Sequence, residues 1–204
     1  MEHWDERRKK WVLYKTQRDH AEDCERYPLE AIPRRIFLDT NVINLMVAHA
    51  ELVFEGSSPP AGYDPLKTDD IEALMHIFAV GQRAGWDIMA SRKTLAEVEA
   101  TPDANLRAML VDYAIQLVDT DYEASAYAAT LGRQMIDAPF ATALPDLADR
   151  ELIGNAIGLM CDVFCTRDRR TIIRKRENLH LLPIRILTPR EWWAHIKPWG
   201  GLFL

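Results

Sequence analysis

Cysteine is scarce in this chain and badly placed for cross-linking. Cys24, Cys161 and Cys165 are an odd three without a framework spacing, which argues against a disulfide scaffold. Cys161 and Cys165 lie four apart in an apolar stretch, where free cysteine ordinarily serves as a small buried hydrophobe. No apolar run opens the chain as a secretory leader or reaches the roughly 20 residues that cross a bilayer. A reducing cytoplasm with no membrane partner is therefore the expectation. The six histidines (3, 20, 49, 76, 180 and 195) show no metal-ligand spacing, so a structural zinc site is unsupported. Positive charge is short as well, with 25 Lys and Arg against 31 Asp and Glu and a net charge of −6. That balance disfavours nucleic-acid binding by overall charge alone. Repeats and low-complexity tracts are absent.

What is present suffices for a folded domain. With 48% apolar and 27% charged residues over 204 positions, the chain can bury one sizeable core. Residues 3 to 26 mix charges of both signs and carry Trp4, Trp11 and Tyr14, which predicts an amphipathic N-terminal helix packed on the domain or on a second subunit. The run Arg7-Arg8-Lys9-Lys10 could touch nucleic acid, although neighbouring acids dilute it. Gly56-Ser57-Ser58-Pro59-Pro60-Ala61-Gly62 reads as the clearest loop. Strands are expected at 36–39, 86–90, 117–118, 163–166 and 184–187, with helices between them. Asp69 and Glu72 resemble a capping box for one helix, Thr101-Pro102 starts another and Thr188-Pro189-Arg190-Glu191 a third. Strands separated by helices imply parallel crossovers in a three-layer α/β domain.

Four acids stand at the ends of these strands or at the starts of the helices that follow. Ile36-Phe37-Leu38 runs directly into Asp39-Thr40-Asn41, which places Asp39 at the C-terminal edge of a strand, where open α/β sheets bind their ligands. Glu97, Asp149 and Asp168 take comparable places. Each has an ordinary structural reading: Asp39 as a cap, Glu97 three residues after Thr94 as a capping box, Asp149 as a first-turn acid, Asp168 as a turn closer. Together the four converge on one side of a parallel sheet. Carboxylates so crowded repel and raise one another's pKa values, and a hard divalent cation, Mg2+ or Mn2+, is the natural counter-ion. Glu99 would point roughly 200° away from Glu97 around a helix, and Asp146 reads as a cap; both stay outside the set. Beside Asp168, the cluster Arg167, Arg169, Arg170, Arg174, Lys175 and Arg176 could engage phosphates or form a solvated face.

The segments Ile36-Phe37-Leu38-Asp39-Thr40-Asn41, Thr94-Leu95-Ala96-Glu97-Val98, Asp149-Arg150-Glu151-Leu152-Ile153-Gly154-Asn155-Ala156 and Asp162-Val163-Phe164-Cys165-Thr166-Arg167-Asp168, in this order, resemble a PIN domain, the nuclease family that includes the VapC-type toxins. The ending Ile186-Leu187-Thr188-Pro189-Arg190-Glu191 resembles how such domains close. The likeness covers roughly residues 34 to 195; Arg167 stands where Asn is common, and the chain is longer than the compact toxins. The resemblance implies an α/β/α PIN-like domain over 34–204 with a central parallel five-stranded sheet, preceded by a helical extension over 1–33. It implies a Mg2+- or Mn2+-dependent endoribonuclease acting on RNA, as in the toxin of a toxin–antitoxin pair. The catalytic and metal-ligand roles fall on Asp39, Glu97, Asp149 and Asp168, with Thr40, Asn41 and Thr166 positioning them or a water. Arg167, Arg169, Arg170 and Arg174 would hold the RNA backbone. An antitoxin protein and a second copy of the chain are the other expected partners. A PIN-like interaction module without catalysis is the alternative.

Overall fold

The computed structural model describes residues 3–57, 60 and 62–203; residues 58, 59 and 61 of the expected loop lie outside them. The strands are β1 (His3–Asp5), β2 (Lys10–Val12), β3 (Arg35–Leu38), β4 (Asp87–Met89), β5 (Val163–Cys165) and β6 (Arg185–Leu187). The helices are α1 (Gln17–Arg26), α2 (Thr40–Ala48), α3 (Ala50–Phe54), α4 (Pro65–Ala84), α5 (Arg92–Glu99), α6 (Ala104–Leu117), α7 (Tyr122–Ile136), α8 (Leu147–Gly158), α9 (Ile172–Lys175) and α10 (Pro189–Ile196). Two compact units share these elements, one of residues 1–33, 51–85 and 189–204 and the other of residues 34–50 and 86–188. The span 34–204 contributes to both. No described helix is long and apolar enough to cross a membrane.

The second unit is built on a parallel sheet of order β4-β3-β5-β6. Ile36, Phe37 and Leu38 of β3 and Val163, Phe164 and Cys165 of β5 are all fully buried, the near-continuous apolar pattern of strands covered on both faces. Asp162 aligns the strand starts. Its carboxylate accepts the backbone N–H groups of Arg34 and Arg35 at 2.8 and 2.9 Å, while its own N–H and C=O bond Arg35 and Arg185. The register pairs Phe37 with Met89 and Phe164, and Leu38 with Cys165. At the other edge, the Asp39 N–H reaches the Cys165 carbonyl at 3.0 Å and the Thr166 N–H the Leu187 carbonyl at 2.9 Å, so the chain leaves the sheet in step at Asp39 and Thr166.

Leu117–Val118, expected as a strand, gives only a parallel bridge between Ala90 and Val118. Leu117 is the last residue of α6, whose helical propagation wins over two β-prone residues. That helix is capped by Asp103, which accepts the Leu106 N–H, two residues later than Thr101-Pro102 suggests. α7 and α8 pack at unusually close range. A Cβ on Gly158 would lie 2.5 Å from the Ala128 Cα, and one on Gly154 would lie 2.7 Å from the Gly132 Cα. Only glycine permits this approach, which fixes α8 and its first-turn acid Asp149.

The first unit corrects the expected N-terminal helix. Residues 3–12 form an antiparallel hairpin in which Trp4 faces Trp11, and α1 begins only at Gln17, behind the Thr16 cap. The cause is local: the Asp5 carboxylate accepts the N–H groups of Arg7 and Arg8, each at 3.0 Å, folding the chain into an Asx turn that helix cannot accommodate. α4 starts one turn before Asp69, with Pro65 in its first turn and Asp64 accepting the Lys67 N–H. Asp69 instead takes a 2.7 Å ion pair from Arg190. The helix stops at Gly85, whose φ of 65° is left-handed. Ile71, Leu74 and Ile77 of α4 are buried, as are Trp192, Trp193 and Ile196 of α10, which packs on it.

Candidate active site

Asp39 occupies the N-cap position of α2 but makes no side-chain cap bond. Its carboxylate turns elsewhere. Oδ2 accepts the Thr166 hydroxyl at 2.5 Å and the Asn41 amide N–H at 2.6 Å. Asn41 Nδ2 also reaches Thr166 Oγ1 at 3.2 Å, and Asn41 Oδ1 accepts the Arg167 N–H at 2.9 Å. Thr166 Oγ1 accepts the Asp168 N–H at 3.0 Å. Every hydrogen-bonding position of the Thr166 hydroxyl is thereby used, one donated and two accepted. The segments after β3 and β5 are cross-braced around a carboxylate only 5% exposed.

Glu97 is not part of the capping box that its spacing from Thr94 suggests. The box of α5 is Ser91 with Thr94. One Glu97 oxygen accepts the Thr40 hydroxyl at 2.5 Å, and the other lies 3.6 Å from Lys93 Nζ, which is also 3.7 Å from Glu151. Glu99 is exposed. Asp146 caps α8 by accepting the Ala148 N–H, which leaves Asp149 in the first turn without that duty. Asp168 does close its turn, accepting the N–H groups of Arg170 and Thr171 at 2.9 Å each and the Thr171 hydroxyl.

The four acids nevertheless lie within one electrostatic field. Burial, then the charges of Asp146, Asp39, Asp168 and Glu97, push Asp149 up to about 7. Burial is also the largest influence on Asp39; opposed by the Thr166 hydrogen bond and reinforced by Glu97 and Asp168, it leaves this carboxyl at about 6. Asp168 is different. Burial pushes it up, but its hydrogen bonds from Thr171 and Arg170 outweigh that and hold it below the ordinary carboxylate range.

The donor set is chemically suited to a hard divalent cation: four carboxylates, two of them destabilised as anions where they stand. Among the described residues, no three or more His, Cys, Asp or Glu side chains are arranged to hold a metal ion. Magnesium does not require such a cage, since it keeps several waters and takes one or two carboxylates directly. Lys93, which the sequence reading missed, is a resident cation beside Glu97; its spacing of four from Glu97 on one helix was the available signal. Thr171 was missed too. Arg167 and Arg169 are half-buried in the loop after β5, whereas Arg170 and, on α9, Arg174 are exposed. Comparison with family models, curated proteins and solved structures found no match to the chain.

Proposed function

We propose that the chain is a PIN-like, metal-dependent endoribonuclease with Asp39, Glu97, Asp149 and Asp168 as its acids. The observation that carries this reading is that Asp39 and Asp149, at a strand end and in a first turn, make no side-chain cap, while the charges of Asp39, Asp168 and Glu97 all reach Asp149 and those of Glu97 and Asp168 reach Asp39. Magnesium or manganese bound among them would supply Lewis-acid activation of water and neutralise charge on the phosphoryl group. The chain's own residues do the rest. Thr166 and Asn41 fix Asp39 Oδ2, Thr40 fixes Glu97, and the turn through Thr171 fixes Asp168. Arg167, Arg169, Arg170 and Arg174 would hold the backbone on either side of the scissile phosphodiester, contacts that position a strand without reading its sequence. In-line attack by water then breaks the P–O3′ bond and leaves a 5′-phosphate. The three-layer arrangement and a role as a toxin countered by an antitoxin belong to this reading through the resemblance alone.

A second reading, a PIN-like module without catalysis, is favoured by two contacts: Lys93 neutralises part of Glu97, and the Asp168 carboxylate already serves a turn. One experiment separates them. Purified protein incubated with mixed RNA and manganese should cut it, stop on addition of EDTA, and lose at least about tenfold in rate as Asp149→Asn. RNA bound but intact in manganese would establish the second reading.

A further inference from the structure

The first unit carries a groove of about 710 Å³ whose lining includes Trp4, Trp11, Tyr14, Lys9, Lys10 and Lys197 and contains no acid. Lys9 is ion-paired with Glu6 at 3.1 Å, and the lining joins Lys10 and Lys197 to aromatic side chains in a chain of net charge −6. From these residues we propose that the groove binds a single strand of nucleic acid, stacking its bases on the aromatics and pairing its phosphates with the lysines.

The aromatic part is set by the hairpin. Trp4 and Trp11 oppose each other across β1 and β2, with ring centroids 5.8 Å apart and planes at 69°. Trp11 is anchored from beneath by an edge contact with His76, centroids 4.6 Å apart, and His76 in turn stacks on Trp193. Trp4 has no such cover and is 41% exposed. A tryptophan that only pinned the hairpin would gain more from burial. The cationic part flanks it. Lys197 Nζ sits 4.1 Å from the Tyr14 ring centroid, and Lys10 follows the Arg7-Arg8-Lys9 turn, all of it exposed.

A strand of nucleic acid alternates anions with π-faces and so uses both kinds of side chain within a groove; aromatic platforms within a positive groove are how sequence-tolerant single-strand binders work. An acidic protein segment would satisfy the lysines and leave Trp4 idle. A bilayer surface would suit tryptophan and lysine together, but it meets protruding apolar surfaces, not a concave one. The proposal is independent of the acidic site, which lies in the other unit.

The test is a titration in EDTA, which prevents cleavage, following tryptophan fluorescence and the anisotropy of labelled U12 and dT12. Inorganic polyphosphate, polyglutamate and phosphatidylserine vesicles serve as the charge-only, protein-like and membrane probes. Both oligonucleotides should bind more tightly than any of these, or U12 alone should, which narrows the ligand to RNA. Trp4→Ala should weaken oligonucleotide binding roughly 5- to 150-fold, leave polyphosphate binding unchanged, and be largely rescued in Trp4→Phe. Lys10→Ala with Lys197→Ala, two changes that leave the hairpin's Trp pair intact, should flatten the salt dependence by about 1.4 in log–log slope. Oligonucleotide binding untouched by either variant, or matched by polyphosphate, polyglutamate or vesicles, overturns the proposal. Loss of manganese-dependent cleavage with this binding intact would instead fall on the acidic site.

Discussion

At the scale of single residues, the decisive groups are carboxyls that make no side-chain cap. Asp39 and Asp149 hold their protons more tightly folded than unfolded, at about 6 and about 7. A group of this kind contributes stability in full below its unfolded value near 3.8, and the contribution fades as pH rises through the folded value. Metal-free protein is therefore expected to lose stability between about pH 4 and pH 7. For the buried Asp39 alone, a shift of some two units is worth about 3 kcal/mol. Asp39→Asn should flatten that decline over its lower part. Urea titrations in EDTA at pH 5, 6 and 7 measure it, and wild-type stability that stays level across this range would contradict the raised values of these two carboxyls. The same residues show what the sequence can disclose. Strand-then-acid spacing was enough to place Asp39 and Asp168 at the sheet edge, because leaving a buried strand fixes where a carboxylate sits, whereas Glu97 and Asp149 were picked out from the helical segments that carry them. Their partners were less legible: Thr171 carries no motif, and beyond the spacing of four from Glu97, only the three-dimensional path brings Lys93 beside Glu151 as well.

At the scale of elements, β3 and β5 were readable from apolar runs, since a covered parallel strand has no solvent face to interrupt it, and the edge strands β4 and β6 from the shorter apolar pairs beside Asp87 and Arg185. The errors fell where two local preferences compete. Leu117 has strand propensity but ends a fourteen-residue helix, and Trp4 and Trp11, spaced for a helix stripe, are spaced equally well to face each other across a hairpin once Asp5 makes its turn. Cap positions slipped by up to a turn, because Ser, Thr and Asp are frequent and only geometry selects among them. The α7–α8 contact was invisible as well, since a glycine in a helix announces nothing until its neighbour is known. It yields a prediction. Gly158→Ala gains helix propensity of about 1 kcal/mol, yet its Cβ meets backbone 2.5 Å away. The net effect should be destabilisation of roughly 1–3 kcal/mol, with a lower cleavage rate as α8 and Asp149 shift. A variant as stable as wild type in chemical denaturation would mean that the two helices separate at little cost.

At the scale of the whole molecule, the proposed acidic site and the proposed strand-binding groove fall on different units. The acids stand on the parallel-sheet unit, and the aromatic groove on the unit that gathers both ends of the chain. The excess of acids over bases is consistent with such a division, because function here depends on where charge sits and not on its sum. The central claim, that four acids form one divalent-cation site, is tested most directly by thermal melts of wild type and Asp39→Asn with and without manganese. Ligand binding to the folded state alone stabilises by about 2.7 kcal/mol at a hundredfold excess over the dissociation constant, or roughly 5–10 °C for a chain of this size. Wild type should rise by that much, while Asp39→Asn, at least as stable without metal, should rise far less. Equal shifts in the two proteins, or no shift in either, would contradict the claim.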